Sequence, residues 1–105
     1  MKYWDVTFLP DAVKDREELG LPARNQVDKA IRKVSQNPLP KSEGGYGNPL
    51  GKKQGRNLTG LLKIKLKKLG IRVVYKLIRN KDAMQIIVIA ARADSEVYEI
   101  AEKRM

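Results

Sequence analysis

Three lysines and one arginine are the residues of this sequence that are best placed to do chemistry. Apolar residues alternate over residues 62–67 with Lys63, Lys65 and Lys67. A β-strand would therefore place the three amines on one face. Arg72 joins that face if the next strand follows a turn of two or four residues, because both turns preserve the alternation. Four such cations could hold a phosphate and stabilise the negative charge that develops when it reacts.

These lysines lie inside a long window without acidic residues. Between Glu43 and Asp82 there is no Asp or Glu, although the window holds eleven of the 22 Lys and Arg. The rest of the chain is nearly neutral, so this window accounts for the net charge of +10. Like charges that face each other on a sheet cost roughly a few tenths of a kcal/mol each, and a polyanionic ligand would offset that cost. The alternative is a solvated sheet face whose lysines only discourage edge pairing.

Other basic and aromatic residues extend this candidate site. Lys52, Lys53 and Arg56 lie in the first part of the window, where they predict an arm that contacts phosphate. Arg92 follows the last predicted strand, and Tyr98 comes six residues later, near the start of the final helix. From position alone, either of these two could instead belong to the core or to its rim.

The composition excludes several kinds of site. The chain has no Cys and no His, which rules out disulfides, thiolate or imidazole metal sites and the commonest acid–base residue. Any catalysis must use Lys, Arg, Tyr, Asp or Glu, and we expect no metal or cofactor. No run approaches the roughly 18 apolar residues of a membrane span, and the N-terminus lacks a signal-peptide core. We therefore expect a cytoplasmic protein without membrane contacts.

The chain of 105 residues predicts one domain whose first half is a strand and two helices. Alternation over 3–8 indicates the strand. A short helix over 11–19 stops at a glycine, and Pro22 opens a longer helix that ends before Asn37. A loop rich in glycine and proline is predicted over 38–60, and loops of this length are usually functional or disordered.

The second half is predicted to contain three strands and a helix. The strands cover 62–68, 71–78 and 84–91, and the helix begins at Asp94 or Ser95 and ends near Arg104. The sequence thus predicts an α+β domain over residues 1–105, with the order β-α-α-β-β-β-α. Its sheet has four strands and is mainly antiparallel.

Four stretches carry a resemblance to a known family: 62–66, 70–75, 92–98 and 101–104. They resemble the RelE toxins of the RelE/ParE superfamily of bacterial toxin–antitoxin systems, over nearly the whole chain. Toxins of the RelE type cleave mRNA in the ribosomal A site by attack of a ribose 2′-hydroxyl on the adjacent phosphate. The resemblance therefore implies a ribosome-dependent endoribonuclease that inhibits translation. The chain departs from the family in its longer 38–60 loop and in having alanines directly before Arg92.

The resemblance assigns a role to each residue of the candidate catalytic set. Lys65 matches the general base, and Lys63 its neighbour that orients and stabilises the phosphate. Arg72 matches the residue that stabilises transition-state charge. Arg92 matches the group that protonates or stabilises the leaving 5′-oxygen. Tyr98 matches the tyrosine that stacks on or orients the substrate.

The resemblance also implies contacts to RNA and to partners. Arg56 falls where a phosphate-contacting arginine is expected, and Lys52, Lys53 and Lys67 complete the predicted RNA-binding set. The implied partners are mRNA on the ribosome, with contacts to 16S rRNA, and a cognate RelB-like antitoxin. Operator DNA would be bound only through the complex with the antitoxin.

The residue types themselves predict a weak acid–base site. A lysine with its ordinary pKa of about 10.4 is a poor base, although neighbouring cations favour the neutral amine. Arginine is a poor proton donor. Such a site needs its substrate aligned by something else, which the ribosome could do. Two alternatives remain at this point: a non-catalytic RNA- or ribosome-binding module, and a ParE-like toxin that targets DNA gyrase.

Overall fold

The structure is a computed structural model that describes residues 3–53 and 55–104, without the side chains of Lys52 and Lys53. Its elements are β1 (Asp5–Phe8), α1 (Pro10–Glu17), α2 (Leu21–Ser35), β2 (Asn48–Lys53), β3 (Arg56–Leu66), β4 (Ile71–Ile78), β5 (Ala83–Ala90) and α3 (Asp94–Arg104). The predicted α+β class is confirmed, but the sheet has five strands where the sequence predicted four. Within the described residues, no helix is long and apolar enough to cross a membrane.

The sheet has the order β1-β5-β4-β3-β2. β1 runs parallel to β5, and the other neighbouring strands are antiparallel, as predicted. β3 and β4 are joined by a turn of four residues, 67–70, which pairs Lys65 directly with Arg72. Gly70 takes a φ of 66° in this turn, a conformation that glycine adopts without strain.

Helices cover both faces of the sheet. The apolar face of β3 packs with α1 and α2 around Leu62, Ile64 and the fully buried Tyr75 of β4. The opposite face packs against α3 through a second cluster that includes Val74 and Val97. Lys63 and Lys65 of β3 lie on this second face, so the alternative of a solvated sheet face does not hold where α3 covers it.

The segment 38–60, predicted as one loop, is in its second half built into the sheet. It contains a short 3-10 turn over Lys41–Glu43, then β2 and the first residues of β3. The Tyr75 hydroxyl donates to the Pro38 carbonyl at 2.8 Å, and burial raises the pKa of that hydroxyl. A Cβ at Gly47 would lie 2.6 Å from the same hydroxyl oxygen, so only glycine lets the segment approach this closely.

The far end of α3 is fastened to the edge of β5. A β-bulge in β5 shifts its register against β4 between Val74 and Tyr75. The pairing of β1 with β5 ends at Ile86, so β1 does not cover the part of β5 that follows. Arg104 donates to the Ile87 carbonyl at 2.8 Å, and the Ile89 amide donates to Asp15 of α1 at 3.0 Å. Arg104 and Asp15 also bind each other at 2.7 Å. The side chains of Arg104 and Asp15 thus provide hydrogen-bond partners for the backbone groups of β5 that β1 does not reach.

Candidate functional site

The candidate site lies where β3 and β4 pass under the start of α3. Lys63 and Lys65 lie on the α3 face of β3, and the pairing of Lys65 with Arg72 places all three cations together, as predicted. Lys65 is exposed, whereas Lys63 and Arg72 are partly buried. A polyanion could therefore reach Lys65 from solvent and approach the other two from the same side.

An acidic residue, Asp94, joins two of these cations. One carboxylate oxygen accepts a hydrogen bond from Nε of Arg72, and the other lies 3.7 Å from Nζ of Lys63. Arg72 also donates through Nη1 to the carbonyls of Gly70 (3.1 Å) and Arg92 (2.9 Å). The sequence predicted Asp94 only as a possible helix cap, but its side chain contacts the site.

Asp94 is held in its ionised form. Burial on its own would raise the pKa of Asp94, but the hydrogen bond from Arg72 and the charges of Lys63, Arg72 and Lys65 act in the opposite direction. The net pKa lies below its ordinary value of 3.8. The charge of Lys65 makes the smallest contribution to this lowering of the pKa of Asp94.

The basic window is therefore partly neutralised by acids from outside it. Besides the contacts of Asp94, Arg79 forms a two-pronged ion pair with Glu43 at 2.8 and 3.0 Å. The absence of acids in the sequence window predicted an unneutralised basic face. That prediction is wrong, because α3 and the segment before β2 bring carboxylates to it.

Tyr98 is buried in the second core cluster, with only 3% of its surface exposed. Its hydroxyl accepts a hydrogen bond from Nζ of Lys63 at 3.0 Å. In this conformation the ring has no open face for a base. Of the two roles implied by the resemblance, orientation through the hydroxyl fits this geometry and stacking does not.

Arg92 lies in the link between β5 and α3, next to the cluster but directed elsewhere. Its carbonyl contacts Arg72, while its guanidinium binds Glu96 at 3.3 Å and is 59% exposed. Both side chains line an open cleft of about 640 Å³ between α1, the end of β5 and α3. An exposed ion pair of this kind contributes little free energy, so Arg92 can exchange Glu96 for a substrate group.

Arg56 is held by the second half of α3. It lies 2.8 Å from Glu102 and 3.8 Å from Glu99. Glu99 also pairs with Lys103 of the same helix. Contact with RNA at Arg56 would require this residue to leave its two carboxylates.

The remaining predicted RNA-binding residues are not part of the cluster. Lys67 belongs to the β3–β4 turn, because β3 ends at Leu66, and it lines a groove with Gln26 of α2. The prediction that Lys67 shares the strand face of Lys63 and Lys65 is therefore wrong. The side chains of Lys52 and Lys53 lie outside the described residues.

Sequence reasoning missed Asp94 and the glutamates of α3, although a signal was present. α3 carries Asp94, Glu96, Glu99 and Glu102 soon after a window with no acid at all. Apolar residues on the lysine face, such as Leu61 and Val74, also indicated that a helix covers that face. Both patterns together indicated that the acidic helix α3 packs on the basic face of the sheet.

No protein-family model matches the chain. Curated relatives do: the chain is 30% identical over 106 residues to a RelE-like toxin protein of Escherichia coli, covering 100% of this chain and 99% of the relative. It is 33% identical over 100 residues to the mRNA interferase toxin RelE of E. coli strain K12, with 95% of each chain covered.

Solved structures resemble it over a similar length. A double arginine-to-alanine variant of E. coli toxin RelE in the free state superposes with a TM-score of 0.78, at 30% identity and 99% coverage of each chain. The same variant in complex with a peptide of the antitoxin RelB superposes with a TM-score of 0.71, at the same identity and coverage.

Proposed function

Because the chain belongs to the RelE family of toxins, we propose that it is the toxin of a toxin–antitoxin pair and cleaves mRNA on the ribosome. The observation that carries this proposal is the cluster of Lys63, Lys65 and Arg72 on one sheet face. These cations can hold a phosphodiester and stabilise the charge of a pentacoordinate phosphorane. Their positions match the residue types on which the family resemblance rests.

In the proposed reaction, the neutral amine of Lys65 accepts the proton of a ribose 2′-hydroxyl. The 2′-oxygen forms a bond to the adjacent phosphorus, and the bond to the 5′-oxygen breaks. Lys63 and Arg72 stabilise the equatorial phosphate oxygens, while Arg92 leaves Glu96 to stabilise the departing 5′-oxygen. The 5′-oxygen takes up one proton from solvent and Lys65 later releases to solvent the one that it accepted, so the products are a 2′,3′-cyclic phosphate and a 5′-hydroxyl end and no water is consumed.

Dependence on the ribosome follows from the weakness of this acid–base chemistry. Lysine amines are ordinarily protonated at neutral pH, which makes lysine a weak general base. The rate must then come largely from alignment of the 2′-oxygen in line with the leaving group. A messenger held in the ribosomal A site supplies such alignment, so we place the protein in the cytoplasm with the ribosomes.

The proposed partner is a cognate antitoxin of the RelB type. E. coli RelE has been solved both in a complex with RelB and with a RelB peptide. By analogy, we expect an acidic segment of the antitoxin near the exposed cations of this chain, where opposite charges speed association. Binding of operator DNA would then require the complex.

The test is expression of the chain without an antitoxin, followed by mapping of 3′ ends on ribosome-bound mRNA. We expect growth arrest, A-site cleavage and 2′,3′-cyclic phosphate ends. Lys65→Ala and Arg92→Ala should abolish cleavage, while Lys81→Ala, which removes an exposed lysine of the same window, should not. Arrest without A-site cleavage would contradict the proposal, and relaxed or broken DNA would then favour gyrase as the target.

Lys65→Arg separates catalysis from binding. It preserves the charge, so ribosome binding should persist while cleavage is lost, because arginine remains protonated and cannot act as a base. Full cleavage by this variant would mean that Lys65 acts only as a cation. Growth arrest without cleavage in both wild type and variant would favour the RNA-binding module.

A further inference from the structure

Asp94 makes the contacts that an anionic ligand of the cluster would make. Its two oxygens reach Nε of Arg72 and Nζ of Lys63, on adjacent strands. Two oxygens on one centre, facing two cations, are also what a phosphodiester presents. Within the described residues, Asp94 is the acidic side chain that contacts these two cations.

The other hydrogen bonds of Arg72 and Lys63 go to uncharged oxygens, so the two cations share an anion site at the position of the Asp94 carboxylate. Nη1 of Arg72 is used by two backbone carbonyls, and Lys63 also donates to the hydroxyl of Tyr98. These contacts are to neutral oxygens and fix the two side chains in place. The carboxylate is about one-third exposed, so an incoming anion can reach it from solvent.

We propose that Asp94 fills the phosphate subsite of the free protein and competes with RNA for Lys63 and Arg72. This inference rests on the proposed function for the identity of the ligand as an RNA phosphate. A bound phosphate displaces the carboxylate, which turns towards solvent at the first residue of α3. The competition weakens binding of free RNA and reserves the site for substrate that the ribosome positions.

A purely positioning role for Asp94 predicts the opposite result. If the carboxylate only holds Arg72 and Lys63 in a productive arrangement, its removal loosens both side chains and weakens RNA binding. If it competes, its removal strengthens binding. Asp94→Asn distinguishes the two, because the amide keeps the shape and one acceptor oxygen but loses the charge.

The experiment measures binding of a short 2′-O-methyl RNA, which cannot be cleaved by 2′-hydroxyl attack, by fluorescence anisotropy. The control is Glu43→Gln, which also removes one carboxylate from an arginine pair but lies away from the cluster. We expect Asp94→Asn to bind about tenfold tighter than Glu43→Gln, which corresponds to about 1.4 kcal/mol. Equal or weaker binding by Asp94→Asn overturns the proposal.

Two further measurements guard against a misfolded variant. Asp94→Ser, whose side chain is compatible with a helix start, should show the same gain in affinity. In the wild-type chain, the NMR resonance of the Arg72 Nε–H should shift when the RNA analogue is added, and an unchanged resonance would overturn the displacement. Because binding is measured without cleavage, this result is independent of whether the wild-type chain cuts mRNA on ribosomes.

Discussion

The two ends of α3 are each joined to the sheet by an arginine–aspartate pair, yet the two pairs differ in how far they are buried and hydrogen-bonded. At the far end, Asp15 and Arg104 are 17% and 19% exposed, and each also binds a backbone group of β5. At the near end, Arg72 is 18% exposed, but Asp94 is 32% exposed, and its second oxygen lies 3.7 Å from Nζ of Lys63.

This difference separates a structural pair from one that can exchange partners. A charge that is buried and fully hydrogen-bonded is strongly destabilising to unpair, because the partner loses both water and counter-charge. A carboxylate that is one-third exposed can instead be replaced by another anion at small cost. We infer that the Asp15 pair anchors α3, while the Asp94 pair holds the site ready for a ligand.

Among the changes that compare the two pairs, the largest effect is expected from Arg72→Lys. Lysine keeps the charge but cannot bind an anion and two backbone carbonyls in the planar geometry of a guanidinium, so the cation will not stay in place for the phosphorane. We expect cleavage on ribosomes to fall about 100-fold, with little change in urea unfolding. The same change at the anchor, Arg104→Lys, is the matched control and should lower stability without affecting cleavage per folded molecule. Equal losses of cleavage in both variants would contradict the assignment of the Asp15 pair to anchoring and of the Asp94 pair to the site.

The second largest effect is a loss of stability when the Asp15–Arg104 pair that anchors α3 is changed. Asp15→Asn keeps an oxygen for the Ile89 amide but leaves Arg104 without its counter-charge, so we expect a loss of about 2 kcal/mol in the free energy of unfolding. Urea denaturation at neutral pH measures it. Asp94→Asn should lose less than about 1 kcal/mol in the same assay. A larger loss for Asp94→Asn would reverse the assignment of the two pairs.

Much of this arrangement could be predicted from periodicity. Prolines, glycines, a helix cap and apolar periodicity together predicted α1, α2, β4 and α3 with boundaries within about two residues, and the alternation in β3 predicted Lys63, Lys65 and Arg72 on one face. Those predictions succeed because an amphipathic element can bury only one of its faces.

β2 and the identity of the helix over the lysines could not be predicted in the same way. β2 contains Pro49 and Gly51, and its register against β3 shifts between them, so the strand shows no regular alternation. Alternation also says which residues share a face, but not which helix covers it. The contact of Asp94 with Arg72 joins residues 22 apart in sequence and depends on how α3 docks.

A smaller effect tests how the site cations are held in place. Tyr98→Phe removes the oxygen that accepts from Lys63 but keeps the buried ring, so the core should remain packed. We expect cleavage on ribosomes to fall about fivefold, since the lost hydrogen bond contributes roughly 1 kcal/mol. A tyrosine that stacked on a base would tolerate this change, because phenylalanine stacks equally well. Unchanged cleavage would therefore favour stacking, after a rearrangement that exposes the ring.

The smallest effect is the pH dependence of the Asp94 pair. Because its pKa is lower in the folded chain than the ordinary value of 3.8, the pair stabilises the fold above that value. This stabilisation is lost as the pH falls through the folded pKa. The gap in unfolding free energy between wild type and Asp94→Asn should thus be largest near neutral pH, at less than about 1 kcal/mol, and should close as the pH falls below 3.8 and through the folded pKa. Urea titrations of both proteins at several pH values measure it. A gap that persists in acid would mean that Asp94 contributes through packing, which would make it an anchor like Asp15.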